Sequence, residues 1–147
     1  QVEALKMNNN FVGSEHLLLG ILAHKDNVAA KALNSLGVTY EAAKENILKL
    51  VSPGEETEDR PEVGKLPYSA RIKSIAEYAV QEANFGKSKY IAPEHLLLGI
   101  FREKDSVATV ALRSLGLTID YVRKMLISIL KDRIKSFNFF IYKFFFG

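Results

Sequence analysis

Twenty-five residues of this chain occur twice, and that repetition limits the possible folds more than any count of residue types. Residues 15–39 return as residues 94–118, a shift of 79 positions without a gap, and 17 of the 25 positions are identical. The run Glu15-His16-Leu17-Leu18-Leu19-Gly20-Ile21 reappears unbroken as Glu94-His95-Leu96-Leu97-Leu98-Gly99-Ile100. A repeat of this length implies one supersecondary unit built twice, the copies closing a shared core. Such a molecule is expected to present a paired binding surface rather than a single catalytic pocket.

The second copy is the more complete. Ser69 is placed to cap a helix over Ala70–Phe85, its hydroxyl accepting a first-turn N–H. Ile72, Ile75, Ala76, Ala79, Val80 and Ala83 follow at three-and-four spacing. Gly86 is expected to end that helix in a left-handed conformation. Pro93 and Glu94 suit the start of a second helix, running to about Lys104. Asp105-Ser106 cap a third over residues 107–115, closed by Gly116, and Thr118 caps a fourth over residues 119–134. The first copy repeats the plan over residues 15–24, 28–36 and 40–51, with only a stub, residues 1–7, for its first helix. No segment alternates with period two over a strand's length. The expected fold is all-α, a pseudo-twofold tandem repeat of a four-helix unit with its first helix truncated. Leu17, Leu18, Leu33, Leu36, Leu96, Leu97, Leu112 and Leu115 are the expected core.

Residues 1–131 therefore form the repeat domain: copy one 1–51, linker 52–66, copy two 67–131. The linker holds Pro53-Gly54, the acidic run 55–59, Pro61 and Gly64, a composition that favours solvation. The chain begins at Gln1 inside a helical pattern and is expected to be a fragment. Residues 132–147 are expected to lie outside the fold. Six of the nine phenylalanines sit in the last 11 positions, a stretch too short to span a bilayer. An interfacial anchor and the translation of AT-rich non-coding sequence are both compatible with it.

Composition removes several functions. The chain has no cysteine and a net charge of +3, so it offers no disulfide, thiolate or cysteine-zinc chemistry and no basic face for nucleic acid. His16 and His95 lack the further ligands that a metal site needs. Gly86-Lys87-Ser88 resembles the end of a phosphate-binding loop, but Gln81 stands where the loop needs glycine, and a helix precedes it instead of a strand. No ATPase, cofactor or metal is expected, and the chain reads as a non-enzyme.

The order Gly13-Ser14-Glu15-His16-Leu17-Leu18-Leu19-Gly20, then Val28-Ala29-Ala30-Lys31-Ala32-Leu33, together with Tyr68-Ser69-Ala70-Arg71 and Tyr90-Ile91-Ala92-Pro93-Glu94-His95, resembles the double motif of Clp N-terminal domains, most of all the ClpC branch. The resemblance implies an eight-helix bundle that receives substrate and adaptor proteins for the Clp protease machinery, with no role for nucleic acid or membrane. It also implies recognition of phosphorylated arginine, once per repeat, in the plastid stroma or the bacterial cytoplasm. A stand-alone accessory subunit docking on the protease core is the alternative. The residues implicated are Ser69, Ala70, Arg71, Glu94 and Glu15. A helix start offers free N–H groups to a phosphate, and a carboxylate suits a guanidinium. Ser69 and Glu94 are expected to make one site within copy two. Glu15 is expected to lack its helix-start partner. Relatives commonly carry Pro at the position of Ala70 and Thr or Ser at that of Pro93.

Overall fold

The computed structural model describes residues 1–146, and Gly147 lies outside the described residues. Among the described residues eight helices account for the fold: α1 Val2–Lys6, α2 Ser14–Ala23, α3 Val28–Ser35, α4 Tyr40–Leu50, α5 Ala70–Phe85, α6 Pro93–Arg102, α7 Val107–Ser114 and α8 Ile119–Phe146. The starts are capped as the side chains dictate. Asn27, Thr39, Ser69, Ser106 and Thr118 each accept a backbone N–H from the following turn. Gly37 and Gly116 take left-handed backbone, φ +85° and +86°, just past α3 and α7. Each turn is closed by Val38 N–H donating to Leu33 (2.8 Å) and Leu117 N–H to Leu112 (3.1 Å).

The two copies exchange partners across the pseudo-twofold. Helix α3 of copy one packs on α8, and α7 of copy two packs on α4 in the same way, while α2 meets α7 and α6 meets α3. One apolar cluster results, containing Leu18, Leu33 and Ile47 from the first copy and Leu97, Ile100, Leu112 and Val122 from the second. Leu18, Leu33, Leu97 and Leu112 are fully buried, as expected. Leu17, Leu36, Leu96 and Leu115 are only partly buried against the cluster. Leu19 and Leu98 are buried instead, because the apolar stripe of α2 and α6 faces the other copy as well as its own.

Three other expectations change. The left-handed residue after α5 is Lys87 (φ +54°), with Gly86 one residue earlier at φ −80°. Asn8 does the same after α1 at φ +56°. The linker is exposed but anchored. Gln1 receives Gly64 N–H and Leu66 N–H on its carbonyl oxygen and donates to Leu66 O. Arg60 donates to Leu5 O and Asn8 Oδ1. Leu66 is buried with Ala4 and Val12 in a small satellite core. Finally, α8 does not stop near residue 134. It continues through the tail to Phe146, with no buried residue beyond Leu126. Among the described residues, no helix is long and apolar enough to cross a membrane.

Candidate functional site

Helix α5 begins beside the start of α2, not beside that of α6. Val12 N–H donates to Pro67 O at 2.8 Å and Ser69 N–H to Val12 O at 2.9 Å, a single parallel bridge between the segments entering the two helices. Ser69 also caps α5, its Oγ accepting from Ile72 N–H at 3.3 Å. The next two amides, Ala70 and Arg71, make no hydrogen bond within the protein, as the first turn of a helix leaves them.

Glu94 is remote from this junction. Helices α5 and α6 pack side by side, and Arg71 at the start of α5 pairs with Glu103 just past the end of α6 (2.9 Å). They therefore run antiparallel. Glu94, nine residues earlier on α6, lies roughly 13 Å along the axis at 1.5 Å per residue. The acidic residue in the first turn of the helix entered from Val12 is Glu15. It is 6% exposed, with its carboxylate folded back against Gly13. The structure thus brings Ser69, Ala70 and Arg71 to the α2 start that carries Glu15 and separates them from Glu94. Adjacency in the chain suggested the opposite pairing. No signal in the sequence gives this pairing, because a repeat identifies equivalent residues and not neighbouring ones.

The histidines next to both glutamates serve the backbone. Gly13 N–H donates to His16 Nδ1 (2.8 Å) and Ala92 N–H to His95 Nδ1 (2.9 Å), which caps α2 and α6. His16 Nε2 then donates to Asn9 Oδ1 at 2.8 Å. Burial holds His16 below its ordinary value of 6.5, opposed by the nearby Glu15 carboxylate. An open groove of about 470 Å³ adjoins the junction, lined by Val12, Leu17, Tyr68, Pro93 and Leu96 from both copies.

A pair of carboxylates at equivalent positions went unread in the sequence. Glu3 accepts from Tyr40 Oη at 2.5 Å. Glu82, 79 residues on, is held by the Arg123 guanidinium through two bonds of 2.6 and 2.8 Å. Those two bonds hold the Glu82 carboxyl below the usual range, against its burial. Both pairs tie the first helix of a copy to the fourth. Among the described residues, no cluster of ligands suited to a metal ion occurs.

Two copies of a four-helix unit, interlocked about a twofold with the segments entering α2 and α5 paired at one junction, define a double-repeat helical domain. Residues 1–115 match the family model of the Clp repeat (R) N-terminal domain, and the chain belongs to that family. It is 35% identical over 132 residues to the ATP-dependent Clp protease ATP-binding subunit ClpA homolog of Cyanidium caldarium, covering 90% of this chain and 15% of that protein. It is 33% identical over 130 residues to the negative regulator of genetic competence ClpC/MecB of Bacillus subtilis, covering 88% and 15%. The chain thus spans about one seventh of these relatives' length. The N-terminal domain of the Clp-associated chaperone ClpD of Arabidopsis thaliana superposes with TM-score 0.67 at 26% identity, covering 88% of this chain and 85% of that one. The Hsp104 N-terminal domain of Candida albicans shares the fold, with TM-score 0.64 at 14% identity over 84% of this chain and 79% of that one.

Proposed function

We propose that this chain is a substrate- and adaptor-binding module of a ClpC-type chaperone and protease system, and that the junction of α2 and α5 recognises phosphoarginine. The observation that carries the reading is the meeting of two helix starts at Val12 and Ser69, one with free amides and the other with Glu15. Free N–H groups and the positive dipole end suit a phosphate. The Glu15 carboxylate suits the guanidinium on the same side chain. Arg71 at the α5 start pairs with Glu103 and would have to exchange that carboxylate for the phosphate. The compartment proposed is the plastid stroma, with the bacterial cytoplasm as the alternative, since relatives come from both Arabidopsis thaliana and bacteria.

Calorimetry with a phosphoarginine peptide and an unmodified arginine peptide tests this. The modified peptide should bind alone. Glu15→Gln should weaken it by about 1.5–3 kcal/mol, the range for a hydrogen bond to a charged group, with the helical spectrum unchanged. Glu94→Gln should alter it little. Equal binding of both peptides, or equal losses from both substitutions, would overturn the assignment. If neither peptide binds, the fold serves docking on the protease core instead.

A further inference from the structure

The starts of α2 and α6 share one backbone, and the residues that cap them differ by a methyl group. Gly13 has φ −106° and ψ 179°, and Ala92 has φ −102° and ψ 165°. Both are extended, a conformation open to any L-residue, so the backbone does not call for glycine at residue 13. Each N–H also makes the same cap, Gly13 to His16 Nδ1 at 2.8 Å and Ala92 to His95 Nδ1 at 2.9 Å. Glycine at this place has another use.

The space that a side chain at residue 13 would take is filled by Glu15. A Cβ there would lie 2.6 and 2.8 Å from the Glu15 carboxylate oxygens and 2.9 Å from its carboxyl carbon, closer than real Cβ contacts come. In that place the Glu15 side chain is only 8% exposed. Among the described residues it accepts no hydrogen bond: His16 Nε2 lies 4.0 Å away and donates instead to Asn9 Oδ1. A carboxylate this buried is costly without a partner, and a cation that carries its own N–H donors completes it. In copy two the methyl of Ala92 stands in the corresponding space. Glu94 cannot fold back through it, and that side chain is only half-buried.

We propose that Gly13 is a positioning residue: lacking a Cβ, it lets the Glu15 carboxylate turn inward as a ready-made acceptor for a guanidinium, while Ala92 closes the same place to Glu94. The two repeats are then unequal by their own residues, and the chain holds one inward carboxylate, not two. An acceptor already fixed in its bound place spares the ordering cost of binding. The atoms that a methyl at residue 13 would meet are the end of a flexible side chain. Gly13→Ala therefore moves the carboxylate and leaves the helix start intact, as Ala92 shows for the same backbone. The guanidinium as guest rests on the phosphoarginine reading, whereas the placement of the carboxylate by Gly13 does not.

The test follows the glutamate carboxyl carbons of the whole chain by NMR in the presence of a neutral, soluble paramagnetic probe. In the parent chain Glu15 should be shielded from the probe and Glu94 open to it. Gly13→Ala should open Glu15 with the helical spectrum unchanged, and Ala92→Gly should shield Glu94. Gly13→Ala keeps every charge of the chain, yet it should weaken the phosphoarginine peptide by about tenfold, as loss of a hydrogen bond to a charged group does. Shielding that follows residues 13 and 92, with no peptide bound by the parent chain, would refute the phosphoarginine reading and uphold the positioning role. Glu15 equally shielded in the parent chain and in Gly13→Ala, or Glu94 still open in Ala92→Gly, would overturn that role.

Discussion

At Gly13 and Ala92 the backbone N–H that opens each second helix donates to a histidine Nδ1, so neither ring can be protonated there and keep its cap. His16 is the better sealed, with no exposed side-chain surface. Its native value lies below 6.5 through desolvation, with Glu15 and Glu3 pulling the other way. A histidine held neutral in the native state contributes stability that is fully present above the unfolded value. That contribution is lost as pH falls through the lowered native value. Denaturant midpoints should therefore drop as the buffer is taken below about pH 6.5. His16→Gln should flatten that part of the profile while keeping α2 capped, because a glutamine at this position accepts the same N–H. A slope unchanged by the substitution would assign the pH response to the carboxylates. The repeat made these histidines visible as a pair, but their capping role depends on side-chain direction at the third helical position.

Gly20 and Gly99 occupy the same place in α2 and α6, yet the elements packed against them differ. A Cβ on Gly99 would meet Ile75 O at 2.6 Å and Ala79 N at 3.2 Å, both backbone atoms of α5. A Cβ on Gly20 meets nothing within 4 Å. Gly99→Ala should accordingly cost about 1–3 kcal/mol by forcing α5 and α6 apart. Gly20→Ala should be neutral or gain up to about 1 kcal/mol from helix propensity. Thermal unfolding of the two variants gives the comparison, and similar shifts would refute the close-approach argument. Helix existence was readable throughout, because caps such as Ser69, Ser106 and Thr118 sit immediately before apolar periodicity. The length of α8 was not, since Phe137 to Phe146 carry no stripe that distinguishes helix from tail. The pairing of Ser69 with Glu15 was hidden for another reason. A repeat reveals which residues are equivalent and says nothing of which are neighbours.

For the molecule as a whole, the end of α8 stands outside the shared core. Phe137, Phe139, Phe140, Phe144, Phe145 and Phe146 are each more than 60% exposed, and the rings of Phe140, Phe144 and Phe145 pack on one another along the helix. An apolar surface of this kind on a protein in water favours association. Truncation after residue 134 should leave the unfolding free energy within about 0.5 kcal/mol, as for surface changes that touch no core feature. It should also lower light scattering at high concentration. A loss of stability well beyond that would place the tail inside the fold. The exchange of partners between copies bears on how this chain came to be duplicated at all. With α3 resting on α8 and α7 on α4, a single copy would have no complete interior of its own and would need a second copy to close it. Joining two copies in one polypeptide turned a bimolecular encounter into an intramolecular one. It also freed each half to diverge, so that the acidic residue at the end of one copy's first helix could come to hold an arginine while its twin holds a tyrosine.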